Sequence, residues 1–265
     1  MRRARGYHNW QTPIDLNDQV AIVAGGSGGI GLAIARELDR CGCRTVVTGR
    51  DASRVSEAVA ALDRGVGFAG CDIRQAERVA ELFDFALERF GRLDIVVGSA
   101  GIGRAAQPER PIPDAVHSLP IAEWDEVIDT NLRGMFLLCR AAAKQMQAKR
   151  SGQIVNISSA RAALRGQPCA AAYSASKMAV HAMFQSLAEE MKPFGVRVMS
   201  LLPDAVDTSL IAATRLARRG AMAPATLGEF VVDLLTMPMD SCFESPLLAP
   251  LGARPARPAT AREKA

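Results

Sequence analysis

Tyr173 and Lys177 stand four residues apart, the spacing that puts two side chains on one face of a helix. A phenol ionising near pH 10 is a poor proton donor or acceptor at neutral pH, and an adjacent ammonium stabilises the phenolate and draws it toward the working range. Ser158 and Ser159 precede the pair at the end of an apolar run, and Asn131 lies upstream in a helical pattern. A second chemical signal lies near the start of the chain. Val20 to Ala24 runs into Gly25-Gly26-Ser27-Gly28-Gly29-Ile30-Gly31, a strand, a glycine turn and a helix start. Glycines there admit positive φ and let backbone approach a phosphate, while the helix offers free N–H groups and its positive end to an anion. That combination suits the pyrophosphate of a dinucleotide.

The elements that must position these groups alternate along the chain. Strand patterns cover Val20 to Ala24, Thr45 to Thr48, Gly67 to Cys71, Leu93 to Val97, Gln153 to Ser158, Val196 to Leu202 and Phe243 to Leu248. Helical periodicity falls between them, near 30–40, 52–62, 75–90, 122–149, 174–192 and 226–236. The strands are apolar without alternation, as a parallel sheet covered on both faces requires. The order predicts an α/β, doubly wound parallel sheet forming a single Rossmann-fold domain over 13–251. An extension covers 1–12, and 252–265 reads as a disordered tail. Substrate-contacting loops are expected near 104–120 and 209–222, and Arg215, Arg218 and Arg219 fall in the second.

Bulk properties exclude several functions. The net charge of +4 comes from the ends: Arg2, Arg3 and Arg5 at one, and Arg254, Arg257, Arg262 and Lys264 less Glu263 at the other. The body is left mildly acidic, which argues against a nucleic-acid partner. Six dispersed cysteines show no zinc spacing and read as reduced, mostly buried small hydrophobes, so no metal site is expected. The lone His117 and His181 read as a solvated loop residue and a residue without a ligand set. With no signal-peptide core and no membrane-length apolar run, the expectation is a cytoplasmic protein without a membrane partner.

Taken together, these motifs resemble the short-chain dehydrogenase/reductase family from about Ile14 to Pro250. Ala24 to Gly31 is similar to its glycine motif, with alanine in place of the usual threonine. Cys71-Asp72-Ile73 matches the acidic position at the adenine, Gly98-Ser99-Ala100-Gly101 the Asn-Asn-Ala-Gly turn, and Pro203, Val206 and Thr208 the segment touching the nicotinamide carboxamide. The resemblance implies hydride transfer between a nicotinamide and a carbonyl or alcohol carbon of a small-molecule substrate. It implies Ser159 holding the substrate oxygen, Tyr173 moving its proton, Lys177 tuning Tyr173 and binding the ribose, and Asn131 positioning a relay water. The implied cofactor contacts are Gly25, Ser27, Gly28, Gly29, Ile30, Gly31, Asp72, Ile73, Ser99, Ala100, Gly101, Tyr173, Lys177, Pro203, Val206 and Thr208. It also implies a homodimer or homotetramer through the helices at 122–149 and 174–192.

At the end of the second strand, Thr45 to Gly49 carries no acid to meet the ribose hydroxyls of NAD, and Arg50 follows with a guanidinium suited to a 2′-phosphate. NADP is therefore the expected cofactor over NAD. Three departures from the family pattern stand out: Gly98 and Ser99 replace two asparagines, Asp204 stands where glycine follows Pro203, and the path from Ser159 to Tyr173 is one residue longer than the family's. The added residue is expected in a loop at Ala160 to Ala163, and Ser158 is the alternative active serine. A regulatory nucleotide-binding protein of the same fold and a nicotinamide-dependent epimerase are the rival functions.

Overall fold

A computed structural model of the chain describes residues 13–103, 114–164, 168–208 and 221–250. The extension at 1–12, the tail at 252–265, and most of the two expected substrate loops, including Arg215, Arg218 and Arg219, lie outside the described residues.

Seven parallel strands form one sheet: β1 (Val20–Ala24), β2 (Arg44–Gly49), β3 (Gly65–Ala69), β4 (Ile95–Gly98), β5 (Gly152–Ile157), β6 (Val196–Pro203) and β7 (Leu247–Leu248). Their spatial order is β3-β2-β1-β4-β5-β6-β7, so the winding reverses between β1 and β4. Successive side chains of β1 enter different cores. Val20, Ile22 and Ala24 join one cluster, and Ala21 and Val23 the other. The first cluster is closed by α3 (Ala76–Phe90), α5 (Gly134–Lys149) and α7 (Ala171–Met191), the second chiefly by α1 (Gly29–Arg40) and α8 (Pro224–Thr236). Both faces of the central strands are dry, which is why their sequences lack alternation. Within α1, Gly31, Ile34, Ala35 and Leu38 are buried along one stripe, and burying Ile34 and Leu38 contributes ~2 kcal/mol each.

At the amino ends of β1 and β4, Asp94 is buried and accepts from Val20 N (2.9 Å), Arg92 Nε (2.7 Å) and Lys149. Burial works to raise this carboxyl, but the hydrogen bonds of Arg92 and Lys149 outweigh it and hold it below the usual range. Behind β6, the buried Arg197 donates to Gln153 Oε1 (3.1 Å), Leu234 O (3.0 Å) and Met237 O (2.9 Å), neutralising carbonyls at the end of α8.

Four expectations are corrected. β3 begins and ends two residues early, because Gly70 takes φ +67° and turns the chain. The helix expected over 122–149 is broken: α4 (Ile121–Ile128) passes into one π turn at Asp129–Arg133 before α5. Ala160–Leu164 is a short helix, α6, where a loop is expected, since Ala160, Ala162 and Ala163 find burial. The seventh strand is confined to Leu247–Leu248, although Ser200 N to Glu244 O and Leu202 N to Pro246 O (both 2.8 Å) carry the preceding residues along β6. Among the cysteines, Cys43, Cys71 and Cys139 are buried, whereas Cys41 and Cys242 are exposed because they sit in connections. No described helix is long and apolar enough to cross a membrane.

Candidate active site

The glycine turn forms the floor of a crevice at the carboxyl ends of β1 and β4, where ligands of open α/β sheets bind. Gly25 takes φ +77°, and a Cβ there would lie 2.6 Å from Ala100 N. A Cβ on Gly31 would strike the Gly25 carbonyl, so α1 and the turn meet backbone to backbone. Ser99 N donates to Ala24 O (2.9 Å), fixing the 98–101 turn beside β1. No side chain caps α1, leaving its first-turn N–H groups for an anion. That uncapped terminus over a glycine cradle fits a pyrophosphate. Ser27 borders Gly49, with Oγ 2.8 Å from where a Cβ would sit, and Thr208 lies against Gly29. Ile30 is half-buried and joins the core. Gly98 leaves room that the Met135 side chain fills, so packing replaces the amide bracing expected of an asparagine.

The far end of the crevice is basic. Thr48 is buried and donates to Phe68 O (2.7 Å), and Arg50 is exposed beyond it. Asp51 directly follows Arg50, yet its carboxylate caps α2 (Ala52–Ala60), accepting from Ser53 N (2.9 Å) and Arg54 N (3.2 Å). Arg54 is a residue that sequence reasoning missed: its guanidinium lies against Gly28. Its position, four after Arg50 in the first turn of a capped helix, is the signal that was available. Asp72 is held in a fork by Arg74 Nε (3.0 and 2.9 Å), and the Arg74 hydrogen bond keeps its carboxyl below the usual range, with Arg50 contributing. Ile73 buries its side chain against Gly134.

Tyr173, Lys177, Ser159 and Asn131 converge at the ends of β4 and β5. Lys177 Nζ donates to Ile157 O (2.9 Å), lies 5.8 Å from the Tyr173 ring centre, and is buried. Burial alone lowers its ammonium to about 8. Tyr173 is also shifted by burial, upward, with a hydrogen bond from Ser159 opposing. Desolvation disfavours the charged form of both groups. The two serines part at the end of β5. Ser158 is buried and donates to the Lys177 carbonyl (3.2 Å), whereas Ser159 is half-buried and meets Tyr173. Asn131 sits in the π turn. Its amide donates to Ile102 O (2.9 Å) and Ser176 Oγ (3.0 Å) and accepts from Ile102 N (2.8 Å). Both amide hydrogens are therefore spent inside the protein, and this side chain braces the 98–102 turn against α7.

Pro203, Ala205 and Val206 are buried where β6 ends, with Val206 bridging to Met222. Asp204, the acid that stands where a glycine is usual, is paired with Arg161. Beside Tyr173 a cleft is lined by Gly103, Leu119, Glu123, Val127 and Cys169; the α4 residues were not anticipated as walls. His117 is exposed, and His181 Nδ1 faces Ser200 Oγ at 3.5 Å. Among the described residues no group of three or more His, Cys, Asp or Glu is placed to hold a metal.

A family model described as short chain dehydrogenase matches residues 19–219. An uncharacterised oxidoreductase of Staphylococcus saprophyticus is 34% identical over 229 residues, covering 85% of this chain and 94% of that one. An uncharacterised oxidoreductase of Staphylococcus aureus is 34% identical over 224 residues, covering 84% and 93%. Among solved structures, a metagenomic short-chain oxidoreductase in complex with NADP is 33% identical with a TM-score of 0.74, over 89% of this chain and 99% of that one. A 3-ketoacyl-(acyl-carrier-protein) reductase from Brucella melitensis complexed with NADH is 26% identical with a TM-score of 0.80, over 88% and 98%.

Proposed function

Since the chain belongs to the short-chain dehydrogenase/reductase family, we propose that it is an NADP-dependent ketoreductase or alcohol dehydrogenase acting on a small molecule. The observation that carries the reading is the meeting of Ser159 and Lys177 on Tyr173 at the carboxyl edge of the sheet. The cofactor supplies the hydride to or from the substrate carbon. Ser159 holds the substrate oxygen and the negative charge that grows on it. In reduction, Tyr173 passes its phenolic proton to that oxygen, and in oxidation it takes the proton back. Lys177, whose ammonium is already poised near neutrality, replenishes the phenol and binds the ribose. Asn131 fixes the turn at 98–102 and α7 relative to one another.

The pyrophosphate is assigned to Gly25, Ser27, Gly28, Gly29, Ile30 and Gly31. The adenine is assigned to Asp72 and Ile73, and the nicotinamide end to Ser99, Ala100, Gly101, Pro203, Val206 and Thr208. Arg50 and Arg54 recognise the 2′-phosphate, a reading supported by the engagement of the Asp51 carboxylate as the cap of α2. The protein assembles as a dimer or tetramer through α5 and α7, on which Phe136 and Met178 are 49% and 46% exposed.

Screening ketones and alcohols for a change in NADPH absorbance tests the reading. Tyr173→Phe is expected to abolish turnover, with a loss of at least ~10² in rate, while NADPH affinity stays near that of the unmodified protein. A variant keeping more than about a tenth of the activity would overturn the role of Tyr173.

A further inference from the structure

Two stretches where this sequence departs from the family pattern, the lengthened path after Ser159 and the acid after Pro203, meet in space. Arg161 of α6 donates through Nε to Asp204 Oδ1, which also accepts from Ala205 N (2.9 Å). The side chains are 31% and 13% exposed, so the pair is partly sheltered from solvent screening. α6 has only five residues, too few for a helix to hold on its own, and its apolar anchor on β6 is the small cluster of Ala160, Ala163 and Leu202. The ion pair is its polar anchor. Two further bonds carry that anchor to the site: Ser159 Oγ accepts from Ala162 N (3.3 Å) and Ser159 O from Ala163 N (2.9 Å). The direction of the Ser159 hydroxyl is thus set by the first turn of α6. On the other side, Asp204 leads within four residues through the buried Val206 to Thr208, which lies against the glycine turn.

We propose that Arg161 and Asp204 are a positioning pair that holds the Ser159 hydroxyl toward Tyr173 and ties it to the 203–208 segment. Serine placement and cofactor engagement are then set together. The inference rests on reading Ser159 as the substrate-facing serine. Its test needs no turnover, so a chain that reduces no carbonyl would defeat the proposed function and leave this test readable.

Tyr7 and Tyr173 are the only tyrosines. In a Tyr7→Phe background, meta-fluorotyrosine therefore yields one fluorine resonance, reporting Tyr173. Arg161→Gln and Asp204→Asn are each expected to move that resonance toward its position in Ser159→Ala, and to weaken NADPH binding severalfold by cofactor fluorescence. The double variant is expected to be no worse than either single one, because both remove one shared contact. Arg161→Lys, which keeps the charge and loses the Nε geometry, should give a smaller displacement. Should a neutral variant fail to fold, Asp204→Glu beside Arg161→Lys makes the same comparison. An unmoved resonance in Arg161→Gln, or effects of the two single variants that add in the double one, would overturn the proposal.

Discussion

Replacing Lys177 by methionine separates what the site needs for chemistry from what the fold needs for stability. The ammonium is buried against Ile157 O, and burial lowers it from 10.5 to about 8. Between those values the unfolded chain binds a proton that the folded chain has released, so stability rises with pH through that window. Below about pH 8 both states are protonated and the full cost of burying the charge is present. Between 10.5 and about 8 that cost amounts to about 3 kcal/mol, at about 1.4 kcal/mol per pH unit. Lys177→Met removes it and leaves the Ile157 carbonyl without its donor, a loss of about 1–3 kcal/mol. At neutral pH the two terms roughly offset. The distinguishing signature is the slope: relative to wild type, the variant should lose about 3 kcal/mol as pH rises from about 7 to about 10.5. Urea unfolding of the ligand-free protein followed by circular dichroism reads this directly. Parallel stability curves for the two proteins would refute the reasoning, since they would mean that Lys177 titrates alike in both states.

Arg50→Ala should lower the preference for NADPH over NADH by about tenfold or more, the worth of a charge-assisted hydrogen bond, read as the ratio of dissociation constants. An unaltered ratio would remove Arg50 from the phosphate site. Ser159→Ala should lose ~10² to 10³ in kcat, while Ser158→Ala, whose hydroxyl is engaged by the Lys177 carbonyl, should stay within a few-fold of wild type. The reverse order would make Ser158 the active serine. Asp94→Asn should cost about 1–2 kcal/mol at pH 7, because the half-exposed Arg92 and Lys149 lose a buried carboxylate partner but return to solvent. Asp94 titrates lower in the folded chain, so its stabilisation is present above the ordinary carboxylate range and fades as pH falls through the folded value. The gap between variant and wild type in urea should accordingly close on acidification, and a constant gap would count against the assignment.

Much of the fold was legible because its determinants are local. The β1-turn-α1 unit announces itself through apolar residues followed by glycines whose backbone freedom no other residue supplies, and the i, i+4 spacing of Tyr173 and Lys177 survives in α7. The π turn around Asn131 was not legible, since one widened turn leaves the 3.6-residue periodicity of its flanks intact. Neither was α6. The alanines at 160, 162 and 163 gain their helix from burial beneath neighbouring elements, which a local reading does not contain. The pairing of Arg161 with Asp204 joins residues 43 apart, and the direction in which Asp51 turns depends on the start of α2. The upward shift of Tyr173 was missed for a related reason: a sequence shows which charges are near in the chain but not how much water has been removed around them.

The contact of Gly25 with Ala100, and of Gly31 with Gly25, means that the crevice floor at these two glycines is main chain packed on main chain. A surface of that kind has no side chains to exchange, so it is closed to gradual change. Saturation mutagenesis of the whole chain should then divide sharply: Gly25 and Gly31 would reject every replacement under any selection that requires the cofactor, whatever substrate is supplied. The cleft walls at Leu119, Val127 and Cys169 would accept or reject replacements according to the substrate chosen. Variation could then retarget the reaction without disturbing the means of carrying it out.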